Sequence, residues 1–254
     1  LLGGIALSFV GMEMSEVHAS DVDKPQTTFP KAIAISALVI FGIYALGSLA
    51  IAFAIPAQEI SFTGGVVDAL RRLLAVVGAE WMSPIFSLLI VVGVITGVST
   101  WIIGPSRAIL IAAEEGYLPK WLSKRNEAGM PAHIMILQGV IVTILSSIFL
   151  FMPSVQSAFV LLTILASEIY MVMYGLMFAA AWRLRKTQKK MSKKLFRAPM
   201  LGLWLSLGAL GSATIFITGF FPPEGQNPIS YLITMALGIG ISCGLPWFLP
   251  HNRV

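Results

Sequence analysis

Seven apolar runs, each near the roughly 20 residues a helix needs to cross hydrocarbon, leave this chain few folds to choose from. They fall at 1–20, 31–55, 83–112, 132–151, 157–181, 200–221 and 230–249. With 57% hydrophobic and 11% charged residues, a soluble domain is excluded. The runs are continuous in Leu, Ile, Val and Ala, with none of the two-residue alternation over about 10 residues that marks a membrane barrel strand. The expected fold is therefore all-α and integral to the membrane, a single transmembrane domain with short connections.

One run is interrupted. Between Ser8 and Lys24 the chain reads SFVGMEMSEVHASDVDK, so an apolar span meets Gly11 and acquires carboxylates at Glu13 and Glu16. Hydrocarbon offers no partners to backbone amides and carbonyls, so a broken helix persists only where protein, water or a solute satisfies the released groups. Transporters place substrates at such breaks. An ionisable group at that depth costs about 2.5–3.5 kcal/mol on insertion scales and faces a cavity or a partner. Glu13 is accordingly the first candidate for binding and proton coupling, with a structural acceptor tying neighbouring helices as the alternative. Glu16 reads as a vestibule charge, His18 as an interfacial residue, and Asp21 to Pro25 as a loop.

The formal charge of +5 does not point to nucleic acid. Eight of the 17 basic residues lie between Arg183 and Arg197, a short basic loop of the kind that stays cytoplasmic. That orientation leaves 152–156 and 222–229 outside. Arg71 and Arg72 also fall outside, on the amphipathic piece Val66 to Leu74 expected to lie along the interface. Cys243 stands alone, the three histidines lack ligand spacing, and no nucleophile elbow or phosphate loop occurs. No catalytic residues, metal site or cofactor are expected, and the chain is not read as an enzyme. It opens Leu-Leu-Gly-Gly without a signal-peptide pattern. Together with the odd number of spans, this predicts a fragment or internally started chain preceded by further helices.

Two blocks carry a resemblance: SFVGMEMSEVHASDVDKPQTTFPKAI from Ser8, and WIIGPSRAILIAAEEGYLPKWLSKRNEAGMP from Trp101 to Pro131. They resemble the amino acid/polyamine/organocation transporters, most closely the bacterial glutamate:GABA antiporter branch. The resemblance implies a partial LeuT-like fold in which the seven runs are helices 6 to 12, the second inverted repeat plus two peripheral helices. It also implies an inner-membrane amino-acid antiporter linked to acid resistance, working by alternating access. Its partners would be amino acids, protons, the lipid bilayer and the N-terminal helices of the same transporter.

By the same resemblance Leu7, Val10, Gly11 and Glu13 contact substrate at the break, Trp101 shapes the pocket, and Tyr170 and Tyr174 look toward the permeation path. Ser106 and Arg107 would form hydrogen bonds at an inner gate, the alternative being snorkelling of Arg107 to the interface beside the backbone bond removed by Pro105. Two departures stand out. Leu7 is apolar where some relatives have an aromatic gate, and Gly97 takes the place of an acid found one turn before the tryptophan. Gating by a long C-terminal plug, seen in some members of this branch, is not expected to carry over. On a helical wheel Thr163, Ser167, Tyr170 and Tyr174 share one polar stripe, while Glu168 lies about 200° from Tyr170. Glu168 either borders the cavity or pairs with another helix, and a role in pH sensing in place of the missing acid is the reading to test. Two alternatives to an antiporter stay open: a facilitator or proton symporter for another amino acid or polyamine, and an inactive or structural membrane fragment.

Overall fold

The computed structural model describes residues 2–15, 22–56, 59, 64–151, 154–188, 200–223 and 226–248. Glu16, His18, Asp21, most of the basic run and the tail after Phe248 lie outside the described residues. Within them the chain is helices and turns, with no strand. In order, the helices are α1 (Leu2–Leu7), α2 (Pro25–Ala54), α3 (Gly65–Val76), α4 (Ser83–Glu114) and α5 (Ala132–Ser146). They continue with α6 (Ile148–Phe151), α7 (Val155–Gln188), α8 (Leu201–Gly219) and α9 (Pro228–Phe248). Four stretches are long and apolar enough to cross a membrane: Pro25–Ala54, Glu80–Glu114, Val155–Leu184 and Leu201–Gly219. Leu2–Ser15, Ala132–Ser146 and Pro228–Gly244 are shorter apolar helical stretches.

The chain divides into two compact units. The first holds α1 with the turn after it as far as Glu13, the start of α2, and α7 to α9. Its hub is α7, whose buried residues Ala158, Leu161, Leu165, Glu168 and Met171 recur at three- and four-residue steps and form one seam. Small residues let the other helices approach that hub. A Cβ added at Gly3 of α1 would lie 3.3 Å from the Ser167 hydroxyl. One at Gly208 of α8 would lie 2.6 Å from the Phe178 ring, and one at Gly238 of α9 would lie 2.6 Å from Leu165. Between apolar helices in lipid there is little hydrophobic drive, so close approach at glycines and hydrogen bonding set the packing.

The second unit holds Met14, most of α2, and α3 to α6. No residue of α2 is buried. After α4 the chain forms a short 3₁₀ turn at Lys120–Ser123, and Leu122 joins Leu110, Ala113 and Ile134 in a small core flanked by Leu118. The Asn126 side chain accepts hydrogen bonds from the amides of Ala128 (3.1 Å) and Met130 (2.8 Å), which shapes the turn into α5. Arg125 donates to Glu114 at 2.7 Å across the base of this loop. Here the GYLP and NEAGMP motifs are structural: they fold the connection back onto the end of α4. Helix α3 is amphipathic, buries Gly65, Ala69 and Leu74, and packs on α4. Arg72 of α3 pairs with Glu59 at 2.5 Å.

Candidate functional site

The break expected near Gly11 is present. Helix α1 ends at Leu7, and the amides of Phe9 and Val10 then bond three residues back, to the carbonyls of Ala6 (3.0 Å) and Leu7 (3.2 Å). The helix thus tightens before it stops. Gly11 has φ +106°, a conformation that strains any residue with a Cβ. A single 3₁₀ turn follows at 12–15.

Glu13 holds this break together. Its Oε2 accepts the Gly11 amide at 3.1 Å, replacing the helical bond that the break removes, and also accepts the Tyr174 hydroxyl at 3.1 Å. Its Oε1 is buried without a hydrogen-bond partner among the described residues. A carboxylate has about four acceptor positions, so this one keeps capacity for a proton or a cationic group. The Tyr174 ring lies 6.1 Å from that of Tyr170 and 6.3 Å from that of Phe178, giving an aromatic column along α7 beside the break. Ser167, one α7 turn from Tyr170, donates to the Gly3 carbonyl at 3.0 Å and anchors α1 above the break. Leu7, Val10 and Gly11 are all half-buried here.

Glu168 does not share this environment. It is fully buried, and its carboxyl lies against Gly219 at the end of α8, where a Cβ would overlap it. The Gly219 carbonyl accepts the Tyr231 hydroxyl of α9 at 2.5 Å. Of the two positions left open by the helical wheel, the structure puts Glu168 against neighbouring helices.

In the second unit Trp101 is 40% exposed. Pro105, one turn on, has no amide to offer the Trp101 carbonyl, and the Gln138 amide of α5 donates to that carbonyl at 3.4 Å. The Ser106 hydroxyl shares its proton between the Ile102 carbonyl (2.7 Å) and Gln138 Oε1 (3.0 Å). Ser106 is buried, Arg107 half-buried, and the Met14 side chain occupies the notch at Gly104. A Cβ at Gly97 would meet open space. Gln138, Gly219 and Tyr231 were not singled out from sequence. For Gln138 there was a signal, as a lone amide inside an apolar run demands a partner.

A broken helix pinned by a carboxylate in a polytopic α-helical chain is the arrangement at which transporters place their substrates. Residues 1–242 match the family model described as amino acid permease, and the chain belongs to that family. It is 36% identical to an uncharacterized transporter of Legionella pneumophila, over 100% of this chain and 56% of that protein. It is 28% identical to a glutamate/gamma-aminobutyrate antiporter of Lactococcus lactis, over 96% of this chain and 50% of that protein. It is also 21% identical to a D-serine/D-alanine/glycine transporter of Escherichia coli, over 92% of this chain and 50% of that protein. The chain spans about half the length of the curated relatives it matches. Family membership and the apolar helices make it a multi-pass protein of the bacterial plasma membrane.

Proposed function

We propose that this chain forms part of a proton-sensitive amino-acid antiporter of the glutamate/GABA-like type, working by alternating access, with the seven apolar segments as its membrane spans. The observation that carries this reading is the Glu13 carboxylate. It caps the unwound backbone at Gly11, is held by Tyr174, and keeps one buried oxygen without a partner among the described residues. Substrate backbone groups meet Val10 and Gly11, Leu7 lines the approach, and Tyr170 and Tyr174 bound the side-chain pocket. Protonation of Glu13 changes its charge and its acceptor count together, which links proton binding to occupancy. Trp101 as a pocket aromatic, and Ser106 and Arg107 as gating residues, carry over from the family resemblance. The similarity to a glutamate/gamma-aminobutyrate antiporter supports amino acids as the ligand class and exchange as the mode. Segments beyond this chain supply the rest of the transporter.

Binding drives such a cycle only through different affinities in the inward- and outward-facing states. The test is exchange in proteoliposomes containing the full-length protein, with labelled glutamate, GABA, arginine and neutral amino acids, from about pH 5 to about pH 8. Exchange that depends on pH in the wild type and loses that dependence in Glu13→Gln is expected. Glutamine keeps the acceptor for Gly11 and Tyr174 but takes no proton. No exchange of any amino acid would overturn the reading.

A further inference from the structure

Glu168 occupies a seam position. Ala158, Leu161, Leu165 and Met171 of α7 are buried at three- and four-residue steps, and Glu168 is the member of that series that carries a carboxyl group. It has no exposed surface, and neither oxygen has a hydrogen-bond partner among the described residues. Carboxylates buried this way pair with a cation or give up their charge. Among the described residues, the groups around Glu168 supply no cation. Among the described residues α8 presents Gly219, without a side chain, and α9 presents the Tyr231 phenol, whose proton is already given to the Gly219 carbonyl. On α7 the ionisable neighbours Tyr170 and Tyr174 form the column beside Glu13.

The end of α8 adds a second, independent reason. Gly219 is the last residue of that helix, and a helix C-terminus carries the negative end of the helix dipole. A carboxylate there is repelled, whereas a carboxylic acid is a donor facing a region rich in carbonyl oxygens. The absence of a Cβ at Gly219 brings the acid flush against that backbone.

We propose that Glu168 is a proton-binding site distinct from the Glu13 break, and that the α7–α8–α9 junction of the first unit closes only while Glu168 carries its proton. Loss of the proton places an unpaired charge in an apolar seam beside a negative helix end, and α8 separates from α7 there. The site takes a proton and not a metal ion, because the carboxyl fills the glycine notch and the Gly219 carbonyl already accepts from Tyr231. The proposal does not rest on substrate transport, so its test uses none.

The experiment compares the full-length wild type with Glu168→Gln and Gly219→Ala in nanodiscs, by infrared spectroscopy and thermal unfolding from about pH 6 to about pH 10. The wild type is expected to show a protonated-carboxyl carbonyl band that disappears as pH rises, with a fall in thermal midpoint over the same interval. Glu168→Gln lacks the band and its midpoint stays flat. Gly219→Ala, which pushes the acid out of its notch, loses the band at lower pH than the wild type. Either variant decides the question if the other is not recovered. Spectra identical to wild type in the recovered variant at every pH would overturn the proposal, as would an unchanged pH dependence of the midpoint. A wild-type midpoint raised by sodium, potassium or magnesium, and unaffected by those ions in Glu168→Gln, would replace the proton by a cation.

Discussion

Helices α7 and α4 are similar in length and both are long and apolar enough to cross a membrane, yet 28% of the most apolar stretch of α7 is buried and none of that of α4. The buried helix is the less apolar of the two. Helix α2, as apolar as α4, buries no residue at all, whereas α4 buries residues only from Gly104 onward. In water the order would be reversed, because apolar surface drives burial. In lipid, apolar surface is indifferent to its neighbour, and helices adhere where glycines admit close contact and polar groups find partners. Along α7 those features coincide: Ser167 meets Gly3, Phe178 meets Gly208, Leu165 meets Gly238, and Tyr174 meets Glu13. Along α4 the corresponding features are confined to its later half, where Gly104 takes Met14 and Ser106 meets Gln138, while Gly93 and Gly97 face open space.

This contrast breaks most readily at α8. Alanine at Gly208 and Gly219 is expected to cost about 1–3 kcal/mol at each position by overpacking, measured as a lowered thermal midpoint in detergent. The two together should be close to additive, as they contact different α7 side chains. Tolerance of both would mean that α7 is not the hub. In the second unit, Gln138→Leu removes the donor to the Trp101 carbonyl and the partner of Ser106. A loss of about 1–2 kcal/mol is expected there, with faster amide exchange confined to α4 around Pro105. Tyr174→Phe removes one of the two donors to Glu13 among the described residues, and about 1 kcal/mol is expected to go with it, together with faster exchange of the Gly11 amide. The smallest effect belongs to Gly97→Leu, for which this chain's midpoint should not move. A fall there would identify a segment covering the α4 face.

The broken helix was legible from sequence because Gly11 and two nearby carboxylates in an apolar run are local features with local consequences. The helical wheel likewise aligned Ser167, Tyr170 and Tyr174, and in the structure they line the side of α7 that meets α1 and the break. The surroundings of Glu168 were less legible. Periodicity put it off the tyrosine stripe, but its notch depends on Gly219, 51 positions further along the chain, and on Tyr231 beyond that. Gln138 was hidden for a related reason: proline's missing amide announces an orphan carbonyl at Trp101 without saying which helix will answer it.

By itself the sequence determined that this chain is helical, lies in a membrane, belongs to the amino acid permease family and breaks its first helix at Gly11. Each of those follows from hydropathy, backbone chemistry or motifs that act over a few turns. Only the tertiary structure decided that Glu13 bonds Tyr174, that Gln138 repairs the gap at Pro105, and that Glu168 is enclosed between α7 and the Gly219 end of α8. In lipid these pairings depend on which small residues come to face which polar side chains, and no single helix encodes that alone.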